Sequence, residues 1–217
     1  MYDFLQERIA QFDRQIIGQL NVLKRTVETP ATPPPGKIKR LRKRGQQPLH
    51  EALRGMSGVD LTTIDGIGVE TAQVVLSELG TDLNDFPNER HFVSYLKLAP
   101  KLAISGGKPV APKRRDSTST RVGSALRMAA TTLRQSQTAL GAEFRRLQRI
   151  KGMGVAVFAL ARKLAVLIYR LLRHGQAYVD QGLHNYEERF RQRRLVVCEQ
   201  MAKSLGLSLL PAPSPPA

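Results

Sequence analysis

Cysteine is nearly absent from this chain of 217 residues, because Cys198 is the only one. A single cysteine excludes an intramolecular disulfide and a cysteine-based metal cluster, and it favours a reducing compartment. The histidines are few and far apart, without the spacing of metal ligands: His50, His91, His174 and His184. The sequence therefore predicts no metal site within this chain.

Long uninterrupted hydrophobic runs are also missing. The most apolar stretch, residues 154–172, is interrupted by Arg162 and Lys163, so it predicts a buried core helix and not a membrane span. Met1 leads directly into an amphipathic pattern, so no signal peptide is expected. A membrane is therefore not an expected partner, and the predicted location is the cytoplasm.

Acidic residues are scarce. The chain has 18 Asp and Glu against 34 Lys and Arg, so its net charge is +16. Such an excess points to a polyanionic partner, most simply nucleic acid. An anionic membrane surface fits less well, because the basic residues are spread over several predicted helices and do not follow one amphipathic face. Nucleic acid as the partner implies association with the nucleoid.

The apolar spacing predicts a mainly α fold. Residues 1–28 should form an amphipathic helix that either docks on the body of the protein or acts as a coiled-coil arm pairing with another subunit. The expected domain organisation is a helical arm over 1–28, a Pro-rich and basic linker over 29–58, a compact helical domain over 59–178, a C-terminal helix over 179–210 and a disordered tail over 211–217.

A glycine turn, Gly66-Ile67-Gly68, precedes a helix predicted over 69–79. With Ala72 four residues after Gly68, the pattern is similar to a helix-hairpin-helix, in which backbone N–H groups at a helix start hold a phosphate. The alternative is plain packing, with Ala72 allowing two helices to approach closely.

A basic loop around Ser105 is the stretch most suggestive of function. Ser105 precedes two glycines, so its hydroxyl could be exposed on a tight bend, in at most a short hairpin within 101–110. A helix is expected over 125–140 with Ser124 as its N-cap. A second basic run, 145–173, has eight cations and no acid. The predicted nucleic-acid contacts are Gly66, Gly68, Lys101, Lys108, Lys113, Arg114, Arg115, Arg121, Arg127, Arg162 and Lys163.

Five pieces in order carry a resemblance over residues 59–178. They are Ile64-Asp65-Gly66-Ile67-Gly68 with Ala72, Tyr95-Leu96-Lys97-Leu98-Ala99-Pro100, Ser105-Gly106, Arg121-Val122-Gly123-Ser124 with Leu126-Arg127, and Ala161-Arg162-Lys163-Leu164 with Tyr169 and Leu172. Together they resemble the C-terminal transposase domain of the DEDD-type insertion-sequence transposases, which are bridge-RNA-guided serine recombinases. Lys97 departs from that pattern, because the family usually has glycine before this leucine. Arg121-Val122-Gly123-Ser124 also departs from it, since the family's strip reads like Lys-x-Gly-Asn.

The resemblance implies DNA cutting and rejoining, with Ser105 as the nucleophile that links covalently to DNA. It further implies a guide RNA and an RuvC-like domain, absent from this chain, whose carboxylates bind Mg²⁺; this chain alone is then expected to be inactive. The alternatives are a non-catalytic nucleic-acid-binding module and a regulatory transposase remnant. Ser117, Thr118 and Ser119 are the alternative hydroxyls in the same loop. A homo-oligomer through the N-terminal helix is expected.

Overall fold

The computed structural model describes residues 2–22, 46–99, 103–105, 108–110 and 119–207. Over these residues the elements in chain order are α1 (Tyr2–Val22), α2 (Gln47–Ser57), a 3-10 turn (Leu61–Thr63), α3 (Val69–Leu79), α4 (Glu89–Tyr95), β1 (Ala103–Ser105), β2 (Lys108–Val110), α5 (Arg121–Thr132), a 3-10 turn (Leu133–Gln135), α6 (Ala139–Lys151), α7 (Met153–His174) and α8 (Gln176–Ser204). The predicted mainly α fold is confirmed.

Helix α7 is the centre of the core, as its apolar sequence predicts. It packs against α4, α5 and α6, while α3 packs against α5 and α2. Because nearly every turn of α7 carries large apolar side chains, it can bury surface against three helices at once. Its fully buried large residues are Leu160, Leu164, Ile168 and Leu171.

Hydrogen bonds from two side chains of α7 join this helix to the loop before α4. The carbonyl of Phe86 accepts hydrogen bonds from the Tyr169 hydroxyl at 3.0 Å and from Arg173 at 2.8 Å. Arg170 pairs with Glu89 at 2.8 Å, and the Phe92 ring lies 5.5 Å from that of Tyr169. These bonds satisfy polar groups at the edge of the core, so α4 is held in a defined position.

Helix α2 lies within the predicted linker, because residues 47–57 are helical. Pro48 occupies the first turn, where its missing N–H costs nothing, and Gly58 ends the helix in the left-handed conformation. Leu49, Leu53 and Met56 share one buried face. The prolines and basic run of 29–45, on which the linker prediction was based, lie outside the described residues.

Only the second half of helix α1 is docked on the rest of the protein. It packs against α2, and Ile16, Ile17 and Leu20 in its second half are partly buried. In its first half Leu5, Ile9 and Phe12 remain more than half exposed. Of the two predicted roles of α1, docking on the body of the protein applies to its second half. Pairing of its first half with another subunit stays a prediction.

An ion pair fastens α2 to the 3-10 turn that follows it. The ring nitrogen Nε2 of His50 lies 3.0 Å from Oδ1 of Asp60, which also accepts hydrogen bonds from the backbone and hydroxyl of Thr62. Burial opposes ionisation of Asp60, but the bonds from His50 and Thr62 outweigh it and lower its pKa to about 2. The bond to Asp60 raises the pKa of His50.

This pair predicts a defined pH dependence of stability. Since the pKa of His50 is raised in the folded state, its contribution is complete below the unfolded pKa and is lost as pH rises through the folded value. Urea unfolding at pH 5.5 and pH 8 should therefore show a larger loss of stability for the wild type than for His50→Gln. Equal losses in the two proteins would contradict the pair's role.

The start of α5 lies earlier than predicted. The N-cap is Thr120, whose hydroxyl accepts a hydrogen bond from the backbone N–H of Gly123 at 3.0 Å, so Ser124 lies inside the helix and the predicted N-cap is wrong. Sequence alone favoured Ser124, because serine directly before an apolar run is a common signal for a helix start. Thr120 satisfies the same requirement four residues earlier.

The predicted continuous helix over 125–140 is also wrong. The chain leaves the helix after Gln135, and α6 begins with Thr138 as N-cap. At this corner Arg145 donates hydrogen bonds to the carbonyls of Arg134 at 3.0 Å and Ser136 at 2.6 Å. The corner turns α6 so that Leu140 and Phe144 become buried.

The chain divides into two units, residues 1–179 and 180–217. The described part of the second unit consists of most of α8 and a short turn ending at residue 207. Its helix is polar overall, with Leu195, Val196 and Val197 about half exposed. Among the described helices of the whole chain, none combines the length and apolarity needed to cross a bilayer. The predicted domain boundaries stay predictions.

Candidate nucleic-acid interface

The Ser105 loop contains the short hairpin that its sequence predicts. Strands β1 and β2 are antiparallel, and Ser105, the last residue of β1, is paired directly with Lys108, the first of β2. A pairing of this kind places the two residues directly opposite each other on the two strands. Lys101, Lys113, Arg114 and Arg115, together with Ser117 and Thr118, lie outside the described residues.

Helix α4, which precedes the hairpin in the chain, ends with Lys97 in the left-handed conformation. The backbone N–H of Leu98 bonds the carbonyl of Val93, and that of Lys97 bonds the carbonyl of Ser94, each at 3.0 Å. This pair of bonds is a Schellman motif with Lys97 at the position that usually holds glycine. Lys97 has φ +58°, the only left-handed non-glycine among the described residues. The chain therefore keeps the glycine geometry although it has lysine.

Replacing Lys97 by glycine should stabilise the fold. A side chain in the left-handed region costs roughly 1 to 2 kcal/mol, which is partly offset by the greater freedom of an unfolded glycine. We expect Lys97→Gly to raise the free energy of unfolding by about 1 kcal/mol, measured by urea denaturation. Lys97→Ala is the matched control, because it removes the charge and keeps Cβ. A glycine variant less stable than the alanine variant would contradict this account.

The two ends of the hairpin segment meet at one point. The hydroxyl of Thr120 donates to the carbonyl of Leu96 at 3.3 Å, so the end of α4 touches the start of α5. Gly123 makes this approach possible, since a Cβ there would lie 2.5 Å from the Leu96 oxygen. The segment between α4 and α5, which contains Ser105, therefore has its two ends held together.

Arg127 lies on α5 next to two serine hydroxyls. Its Nη2 donates to Oγ of Ser124 at 2.8 Å and to Oγ of Ser119, and the two hydroxyls are 2.9 Å apart. The guanidinium lies over the Phe158 ring, 5.3 Å from its centroid. The charge of Arg127 is visible in the sequence, whereas its contact with Ser124 is visible only in the fold.

The other predicted cations differ in their surroundings. Arg121 is 73% exposed, and its Nε lies 3.7 Å from a carboxylate oxygen of Glu78. Arg162 is exposed on α7. Lys163 forms a salt bridge with Glu143 of α6, so its charge is matched within the fold. Glu143 lies just before the acid-free run and was therefore overlooked.

The Gly66 turn packs against α5. Gly66 has φ +88°, and a Cβ there would lie 3.1 Å from the carbonyl oxygen of Ala129 and from the Leu133 side chain. The packing alternative therefore describes Gly66. Gly68 is the N-cap residue of α3, and Glu70 in the first turn accepts a hydrogen bond from Gln46. A phosphate role for the backbone of Gly66 and Gly68 stays a prediction.

The corner between α6 and α7 is a basic surface that the site prediction left out. Arg146, Arg149 and Lys151 are exposed there, next to Ile150, which is 61% exposed. The signal was present in the sequence as a dense run of cations before Gly152. Exposed cations grouped in this way can neutralise a phosphate backbone.

Metal ligands are not grouped in the parts of the chain that the structure describes. No set of three or more His, Cys, Asp or Glu residues there could hold an ion. The described residues therefore do not fit the Mg²⁺ site that the resemblance implies for an RuvC-like domain.

Comparison with known proteins gives one family match. Residues 60–146 match the model of the Transposase IS116/IS110/IS902 family. The chain matches no curated protein and no solved structure. The matched segment begins at Asp60, includes α3, α4, the hairpin and α5, and ends within α6. The similarity is therefore to a family of insertion-sequence transposases, and it is confined to this segment of the chain.

Proposed function

We propose that this chain is part of an insertion-sequence transposase that cuts and rejoins DNA through the hydroxyl of Ser105. The observation that carries the proposal is the family match over residues 60–146, because that segment contains Ser105 and the two glycines that follow it in the sequence. The net charge of +16 and the exposed cations of α5, α6 and α7 support a DNA partner.

The proposed step is a transesterification. Oγ of Ser105 attacks the phosphorus of a phosphodiester, one P–O bond forms, and the P–O bond to the leaving deoxyribose oxygen breaks. The serine proton is lost to a base and the leaving oxygen gains one, so charge and atoms balance. The phosphoserine link keeps the ester for the reverse attack by a DNA hydroxyl, which rejoins a strand without an external energy source.

The transition state carries negative charge on the phosphoryl oxygens, which cations stabilise. Arg121, the first residue of α5, is 73% exposed, and Arg114 and Arg115 precede it in the sequence between the hairpin and α5. Arginine suits this role, because its planar guanidinium can donate two parallel hydrogen bonds to phosphate oxygens. Lys108 is paired with Ser105 across the hairpin and adds a fourth charge.

Three partners complete the proposal. Guide RNA follows from the resemblance and from the surplus of basic residues. A homo-oligomer is supported by the exposed apolar stripe of Leu5, Ile9 and Phe12 on α1. Mg²⁺ is proposed to be held outside this chain, by an RuvC-like domain, and strand transfer is proposed to require that domain.

The test is a search for a covalent adduct between the protein and end-labelled DNA. The protein is incubated with DNA containing the element ends, alone and with the remaining transposase domain, and denatured before electrophoresis. The proposal predicts labelled protein that survives denaturation. Salt-sensitive binding without any adduct under either condition would reject it in favour of the non-catalytic binding module or regulatory remnant.

A further inference from the structure

Ser119, Ser124 and Arg127 converge at the first turns of α5. Each of the three polar groups touches the other two: Nη2 of Arg127 donates to both hydroxyls, and the hydroxyl oxygens are 2.9 Å apart. Ser119 is exposed, whereas Ser124 and Arg127 are partly buried. The group therefore opens to solvent on one side and is supported by the protein on the other.

Among the described residues, the charge of Arg127 is held in place by an aromatic ring and two hydroxyl groups. Phe158 of α7 supports one face of the guanidinium at 5.3 Å, and the hydrogen-bond partners of Nη2 are uncharged hydroxyls. No carboxylate of the described residues pairs with Arg127, in contrast to Lys163 and Arg170. A fixed cation that is surrounded by hydroxyl groups attracts an anion more strongly than a mobile surface cation.

We propose that these three side chains form a subsite for one backbone phosphate of a bound nucleic acid. The Ser119 hydroxyl donates to the carbonyl of Thr120 at 3.1 Å and lies in hydrogen-bond contact with the Ser124 hydroxyl. A bound phosphate would replace these bonds, because each hydroxyl that accepts from Arg127 can rotate its own proton toward a phosphate oxygen while arginine donates to another. The subsite rests on the proposed function and makes it more specific, because it gives Ser119 and Ser124 a binding role separate from the chemistry at Ser105.

The position of the subsite explains what it would do for the reaction. Ser119 directly precedes Thr120, whose hydroxyl joins the start of α5 to Leu96 at the base of the hairpin. A phosphate bound beside Thr120 would therefore fix a strand relative to the segment that presents Ser105. Arg127 is therefore a positioning residue, because it would fix the register of the bound strand relative to Ser105.

The experiment compares DNA binding over a range of salt concentrations for three variants. Arg127→Gln should lower affinity about fivefold to tenfold and reduce the magnitude of the salt slope by about one unit, as for one lost phosphate contact. The double variant Ser119→Ala/Ser124→Ala should lower affinity threefold or more and leave the slope nearly unchanged, since no charge is lost. Arg127→Lys should keep the slope and lose affinity, because the forked donor is gone.

Arg191→Gln is the matched control, since it removes one exposed arginine from a helix of the other unit. If Arg127→Gln and Arg191→Gln have the same effect, or if the double serine variant binds like the wild type, the subsite is overturned. Circular dichroism checks each fold; should Arg127→Gln not fold, Arg127→Lys and the serine variant decide.

The source of the phosphate is tested in the same series. A loss of affinity with DNA or with RNA of the same sequence supports a backbone phosphate. A change confined to inhibition by free inorganic phosphate would overturn the proposal. Adduct formation at Ser105 is measured separately, so loss of the subsite and failure of the transposase chemistry give different results: the first lowers affinity, and the second leaves affinity intact without an adduct.

Discussion

Replacing Ser105 by alanine should abolish the covalent protein–DNA adduct and lower strand transfer by at least about a thousandfold. Removal of a nucleophile takes away the covalent route, and the remaining rate comes only from binding and charge stabilisation. The substitution removes one oxygen and no charge, so DNA affinity should change less than about twofold. The measurement is single-turnover cleavage by the complete enzyme, with affinity determined on the same DNA.

Ser119→Ala is the control for this prediction. It removes a hydroxyl from the same segment, and the adduct should persist, although binding weakens if Ser119 contacts phosphate. Persistence of the adduct in Ser105→Ala together with its loss in Ser119→Ala would transfer the nucleophile to the start of α5. Loss of affinity in Ser105→Ala comparable to the loss of rate would indicate a binding role only.

Replacing Gly141 by alanine is expected to be the most destabilising single methyl addition in the described helices. A Cβ at Gly141 would lie 2.2 Å from the carbonyl oxygen of Ser136 and 2.8 Å from that of Leu133. Both are backbone atoms of the corner before α6, so they cannot move aside as a flexible side chain does. We expect a loss of about 3 kcal/mol and a Tm lower by roughly 6 to 12 °C.

Gly154→Ala provides the matched control. Gly154 is also helical, in the first turn of α7, and a Cβ there has nothing within 4 Å. Alanine should therefore raise stability by roughly 0.4 to 1 kcal/mol through the reduced freedom of the unfolded chain. Thermal unfolding of both variants checks the pair, and similar small effects would mean that the corner is not closely packed.

The sequence could predict the helices in which apolar residues recur at helical spacing and form the buried face. In α3 the residues Val69, Ala72, Val75 and Leu76 are all buried, so periodicity and packing agree. The same holds for α7, whose length and apolar composition leave no other place than the core. The hairpin could be predicted because Gly106 and Gly107 separate two short segments.

The corrections arise where a distant residue decides between local alternatives. Both Thr120 and Ser124 are good cap residues, and the contact of Thr120 with Leu96, 24 positions earlier in the chain, favours the first. Gly141 looks like any helical glycine until the corner before α6 is folded against it. Tertiary packing of this kind is absent from a local pattern, which is why helix ends were the weakest part of the prediction.

The candidate site follows the same division. Charge alone selected Arg127 and Lys163, yet the first lies among hydroxyls and the second is neutralised by Glu143. The cap pattern assigned Ser124 a structural task, whereas its hydroxyl contacts Arg127 and Ser119. A residue's type could be read from the sequence, but its partner could be read only from the fold.

Mass spectrometry of the trapped protein–DNA adduct is the most direct test of the central claim. After digestion with a protease and a nuclease, the peptide with the residual nucleotide identifies the residue that forms the ester bond. The account predicts a phosphodiester-linked nucleotide on Ser105 and on no other residue of the segment between α4 and α5. A nucleotide on Ser117, Thr118, Ser119 or any residue elsewhere would contradict it.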